Sequence, residues 1–213
     1  NNNNKISKFI DTLNAYQKIN YKESYLNRYI KYFVLNGNFI ELKKNYTLIS
    51  QDIYIPKDLI VKILPGQKII LINNAFIFSD SPWLVDGKEE RVFISGKKDN
   101  FGGGVIIFKT DSISKFFNTS FTYLNGFNKN INYLAEQYIL FGAININQSE
   151  VIFEDVAFES IKAEDALNII NSKFKIINSI FEDISSDAID IDFGIGEILN
   201  SKFENIKNDA IDF

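Results

Sequence analysis

Three five-residue segments, Asp165-Ala166-Leu167-Asn168-Ile169, Asp187-Ala188-Ile189-Asp190-Ile191 and Asp209-Ala210-Ile211-Asp212-Phe213, follow one another at intervals of 22 residues. Between them lies a second block, apolar-x-(Asn/Asp)-x-x-Phe-x-x-(Ile/Leu). It is written by Ile176, Asn178, Phe181 and Ile184 and again by Ile198, Asn200, Phe203 and Ile206. Earlier copies are Phe153, Asp155, Phe158 and Ile161, and Phe116, Asn118, Phe121 and Leu124, so the four copies stand 37, 23 and 22 residues apart. A period of this size means a solenoid or a propeller, because one repeat cannot bury its apolar face alone and must stack on its neighbours.

The alternation inside the repeat selects among solenoids. In Ile189-Asp190-Ile191-Asp192-Phe193 every second residue is apolar, the period of a strand with one buried face. Helical repeats are disfavoured, a four-stranded blade needs more residues, and the Leu-x-x-Leu-x-Leu spacing of leucine-rich repeats is missing. One coil of a parallel β-helix fits: two or three short strands separated by bends, each pairing with its equivalent one coil away. Ile189, Ile191, Phe181 and Ile184 are then expected inside, stacked on Ile211, Phe213, Phe203 and Ile206.

The Asp-Ala-(Ile/Leu)-(Asp/Asn)-(Ile/Phe) strands, the aligned Asn178 and Asn200, the run Val92 to Gly96 and the segment Phe101 to Phe108 resemble the right-handed parallel β-helix proteins of the pectate-lyase-like superfamily. The resemblance covers roughly residues 39 to 213 and is most similar to β-helix regions attached to bacterial spore-coat CotH-like surface proteins. It implies an all-β solenoid and an extracellular or cell-surface location, but no single activity, because that superfamily holds lyases, hydrolases, epimerases, phage spikes and non-enzymatic surface proteins.

Asn1 to Asn38 stands outside the repeat. Ile6, Phe9, Ile10 and Leu13, then Leu26, Tyr29, Ile30 and Phe33, follow the spacing of amphipathic helices, with Asn36-Gly37 as the stop of the second. A small N-terminal α-helical cap is expected, covering the unpaired edge of the first coil; a linker or partner-binding helix pair is the alternative. Residues 39 to 213 form the β-helix. Its early strands are read at 53–55, 59–64, 68–72, 75–78, 91–95 and 105–108. The Gly102-Gly103-Gly104 run precedes a strand and lacks phosphate-loop spacing, so it reads as a tight bend. The 37-residue separation predicts an excursion of about 14 extra residues around Gly126 to Gln137, a length at which loops are often binding elements. The chain starts at Asn1 without methionine and stops inside a repeat at Phe213, which reads as a fragment continued by further coils.

Bulk properties exclude some functions. A hydrophobic content of 46% with 20 Phe and 10 Tyr describes a folded chain. The net charge of -4 argues against a nucleic-acid partner, which needs a basic face, and no apolar run approaches the ~18 residues of a membrane span. Zero Cys excludes disulfides and zinc thiolates.

Candidate chemistry is carboxylate chemistry. Asn168, Asp190 and Asp212 are expected as an outward column on successive coils about 4.8 Å apart, with Asp192 two residues along the strand. Stacked like charges need an offset, whether solvent screening, a bound Ca2+ or a raised pKa that keeps one group neutral. Asp190, Asp192 and Asp212 are thus candidate metal ligands or, alternatively, catalytic carboxylates, with Asn168 as a further ligand. Trp83, Tyr123 and Tyr133 offer ring faces to a sugar. The chain has no His and only Arg28 and Arg91 as guanidinium groups, and the Gly-His-Gly and Arg-x-Lys motifs of polygalacturonase-like enzymes are missing. The expectation is a non-enzymatic extracellular scaffold or glycan-binding module, with a polysaccharide lyase or glycoside hydrolase as the alternative. Asp165, Asp187 and Asp209 read as bend residues accepting backbone N–H bonds, and Asp155, Asn178 and Asn200 as an asparagine ladder.

Overall fold

The computed structural model describes residues 28–126 and 142–213. After a short 3-10 turn at Tyr29–Lys31, strands β1 (Phe33–Asn36) and β2 (Phe39–Leu42) form an antiparallel hairpin, and every later pairing between strands is parallel. The first coil is β2, β3 (Tyr46–Ile49) and β4 (Ile53–Ile55); the second is β5 (Ile60–Ile63), β6 (Lys68–Leu71) and β7 (Phe76–Ser79). The third is β8 (Trp83–Asp86), β9 (Val92–Ser95) and β10 (Gly104–Phe108), and the fourth β11 (Ser114–Phe117), β12 (Thr119–Thr122) and β13 (Gly142–Asn147). Then come β14 (Glu150–Glu154), β15 (Ala157–Glu159) and β16 (Asp165–Ile170), β17 (Lys173–Ile177), β18 (Ile180–Ile184) and β19 (Asp187–Asp192), and finally β20 (Ile195–Leu199) and β21 (Lys202–Ile206). First strands stack on first strands as sheet 1, second as sheet 2 and third as sheet 3, which makes an all-β parallel solenoid of about seven coils. Among the described residues no helix is long and apolar enough to cross a membrane.

The stacking follows the repeat. Phe116, Phe153, Ile176 and Ile198 share one register column of sheet 1; Phe121, Phe158, Phe181 and Phe203 share one of sheet 2. The sheet 2 rings lie face on face at 4.8, 4.7 and 5.0 Å, and Phe121, Phe158 and Phe181 are fully buried. Phe116 and Phe153 stack at 5.0 Å and meet that column edge-on, so the two columns form one aromatic spine inside the tube. Ile189, Ile191 and Ile184 point inward as expected, whereas Phe213 is 88% exposed. It lies beyond the isolated Asp190–Asp212 bridge, where no strand draws it inward.

Corners are made by residues in the left-handed conformation. Asn118, Asp155, Asn178 and Asn200, at φ of 43° to 56°, turn the chain from sheet 1 to sheet 2. Lys109, Gln148, Asn171 and Phe193 turn it from sheet 3 to sheet 1, and Tyr123, Ser160, Asp183 and Asn205 bend it at the end of sheet 2. The expected asparagine ladder is corrected here. Backbone N–H groups of Asn118, Asp155 and Asn178 bond carbonyls of the next coil, and the only side-chain bonds in this column are those of Asn118, to Gly87 and Arg91. Asn and Asp occupy these positions because they tolerate positive φ at low cost.

The second helix of the expected cap is also corrected. Tyr29 lies in the 3-10 turn and Phe33 in β1, and Gly37-Asn38 form a two-residue hairpin loop with Gly37 at φ 65°, the sign that glycine adopts freely. Phe33 seals the end of the core at 2% exposure, so β1 performs the covering of the sheet 1 edge that a helix was expected to supply. The first expected helix, Ile6 to Leu13, lies outside the described residues, as does most of the excursion with Phe127, Tyr133 and Tyr138. The glycine run at 102–104 is a close approach: a Cβ on Gly104, at φ 153°, would sit 1.8 Å from the Ala143 carbonyl oxygen.

Candidate functional site

The outward column of sheet 3 runs Tyr54, Phe78, Ile106, Asn145, Asn168, Asp190 and Asp212 across seven coils. It is apolar in the early coils and becomes amide, then carboxylate. Asn145 is fully buried and satisfies itself, its Nδ2 donating to the Gly142 carbonyl at 2.6 Å and its Oδ1 accepting the Gly142 N–H at 3.1 Å. One coil on, Asn168 is 1% exposed and its Nδ2 donates to both Asp190 (2.9 Å) and Asp165 (3.1 Å). One amide thus bridges two carboxylates of adjacent coils. Its own Oδ1 is buried without a partner, and so are both amide atoms of Asn147 further along the same face.

This setting raises both carboxyls. Burial pushes Asp165 up to about 7, helped by the charge of Asp190 and opposed by the Asn168 bond. Burial also pushes Asp190 up to about 6, helped by Asp192 and then Asp212. Asp165 was read from the sequence as a bend residue; at 2% exposure it is instead the most buried acid of this face. Its equivalent Asp187 does hold a bend, accepting the Asp209 N–H at 2.8 Å and the Asn208 amide at 2.7 Å. Of the expected metal ligands, Asp190 is half-buried while Asp192 and Asp212 are exposed. Asp212 accepts the N–H of Phe213 at 2.8 Å. Among the described residues no three acidic side chains gather into a group suited to holding a metal ion.

The aromatic candidates separate. Trp83 is corrected: it pairs in register with the inward Val61, is fully buried and stacks on Phe116 at 6.2 Å, so no ring face remains for a ligand. Tyr133 lies outside the described residues. Tyr123 is half-buried at a corner, edge-on to Phe101 at 5.7 Å. These two rings line a groove of about 400 Å³ with Lys98, Ser160, Lys162, Asp183, Ser185 and Lys207. Sequence reasoning missed this groove. Its signal was the residue following the last apolar anchor of each block, Lys162 after Ile161, Ser185 after Ile184 and Lys207 after Ile206.

Comparison of the chain with protein-family models, with curated proteins and with solved structures finds no match.

Proposed function

We propose that this chain is a non-enzymatic β-helix module of an extracellular or cell-surface protein that binds a glycan on its flank. The observation that carries this reading is the groove in which the half-buried rings of Phe101 and Tyr123 meet Ser160, Ser185 and three lysines. Aromatic faces with a few convergent polar groups suit a ligand that is apolar on its C–H faces and polar at its rim, as a sugar is. The resemblance to β-helix regions of CotH-like surface proteins supports the location.

A specific observation favours the alternative, a carbohydrate-active enzyme acting through Asp190, Asp192 and Asp212. A carboxyl raised to about 6 is poised as a general acid. Against it, the more strongly raised partner, Asp165, is buried beyond reach of a substrate, and the amide that joins the pair is buried as well. Affinity electrophoresis against neutral and acidic polysaccharides tests binding; retardation by none of them rejects the module. Following unsaturated products and new reducing ends in the same mixtures tests cleavage, and turnover lost in Asp190→Asn plus Asp212→Asn would establish the enzyme. A calorimetric titration with Ca2+ on the parent and that double variant tests the cation reading, which a silent parent rejects.

A further inference from the structure

We infer that the groove at the end of sheet 2 selects negative charge, so that the glycan it takes is an anionic polysaccharide. This inference rests on the glycan-binding reading and adds the charge class of the ligand. The chain carries a net charge of -4, yet the groove gathers Lys98, Lys162 and Lys207 against the single carboxylate of Asp183. That carboxylate already accepts the Asn205 amide at 3.1 Å. The salt bridges among the described residues, Lys57–Asp111, Lys62–Glu41, Lys175–Glu197 and Lys202–Glu204, use none of the three lysines. Lys162 is steered instead by a ring, its Nζ lying 4.3 Å from the centre of Phe101.

The backbone fixes the spacing of the residues that carry these charges. Lys162, Ser185 and Lys207 occupy equivalent positions on three coils, their N–H groups donating to Leu124, Ile161 and Ile184 carbonyls at 2.8, 3.0 and 3.1 Å. Two coil rises place Lys162 and Lys207 roughly 10 Å apart along the solenoid axis, with a serine between them. That is a row of two cations flanking a serine whose Oγ already donates to the Ala163 carbonyl at 3.2 Å, suited to an extended chain with repeating negative charge and not to one compact anion.

The donor type sets the charge class of the ligand and not the geometry of its anionic group. The bidentate fork of arginine matches planar carboxylates and tetrahedral oxyanions alike. No arginine lines the groove, and Arg91 donates to Asn118 at a different corner. Lysine ammonium groups act as point charges with freely turning donors, and they hold carboxylate or sulfate groups along an extended chain alike.

The test is calorimetric titration of the chain with dextran sulfate, unmodified dextran and polygalacturonate at about 0.15 M salt, where diffuse surface attraction is screened beyond roughly 8 Å. Dextran sulfate and polygalacturonate are expected to bind, and unmodified dextran to bind much more weakly. Lys162→Gln plus Lys207→Gln should weaken dextran sulfate binding about tenfold, while the matched charge removal Lys115→Gln plus Lys173→Gln on sheet 1 should change it less than about twofold. Equal losses in both double variants would show attraction to any lysine and overturn the inference. Unmodified dextran binding as tightly as dextran sulfate would overturn the charge preference and leave the glycan module standing. Binding of none of the three would end both.

Discussion

At the scale of single residues the most informative group is Asp165. An unfolded aspartate ionises near 3.8, whereas in the fold burial holds Asp165 protonated up to about 7. Between those values the unfolded chain binds fewer protons than the native one, so stability should fall as pH rises through the window and level off above it. The cost at neutral pH is on the order of 2 to 4 kcal/mol for Asp165. Thermal melting of the parent should therefore give a higher Tm at about pH 5 than at about pH 7.5. Asp165→Asn should raise the Tm at the higher pH and flatten most of the dependence; an unchanged slope in that variant would place the titration elsewhere. Phe181 is the second residue-scale case. With Phe158 stacked on one side at 4.7 Å and Phe203 on the other at 5.0 Å, its ring cannot be replaced by collapse of the neighbours. Phe181→Ala should cost about 3 to 5 kcal/mol in denaturant unfolding, and a loss under about 1 kcal/mol would contradict the rigid spine described above.

At the scale of elements, corners and strands were legible to different degrees. The 22-residue period disclosed the last three coils because their separations differ by only one residue and the column of Phe158, Phe181 and Phe203 keeps one residue type. In earlier coils the strands were readable but their stacking was not, since connections differ in length from coil to coil. Trp83 shows the consequence. Without a register, nothing in Ser81-Pro82-Trp83-Leu84 says which of the alternate side chains faces in, and pairing with Val61 decides it. The hairpin at Phe33 to Leu42 was misread because Leu26, Tyr29, Ile30 and Phe33 satisfy the helical spacing, although Tyr29 and Phe33 belong to a turn and a strand. The corner column was recognised as a column but given the wrong cause. If left-handed backbone, and not amide stacking, explains Asn178 at φ 51°, then Asn178→Gly should be nearly neutral and Asn178→Val should cost about 1 to 2 kcal/mol. Equal losses in the two variants, measured by urea unfolding, would restore the ladder explanation. The carboxylate face was legible as a list of residues and not as chemistry, because the repeat gives the spacing of Asn168 and Asp165 and not their burial, at 1% and 2% exposure.

At the scale of the whole molecule, a tube of about seven coils has no centre. Each coil touches only the coils above and below it, so stability is close to a sum of coil terms and nearest-neighbour stacking terms. The described core is unequal along its length. The inward residues of β13 and β16 are fully buried, whereas the inward Ile198 of β20 and Phe203 and Ile206 of β21 are only partly buried. Native-state hydrogen exchange should therefore report a gradient. Amides of β13 and β16 should open last, those of β20 and β21 first, with opening free energies spread across the range that local unfolding allows. A substitution within the spine sharpens this expectation. Phe158→Ala should speed exchange most in β15 and in its neighbours β12 and β18, less in β9 and β21, and little in β3. A single common opening free energy for all slow amides, shifted uniformly by that variant, would mean that the solenoid unfolds as one cooperative unit and that coupling along the aromatic spine extends well beyond adjacent coils.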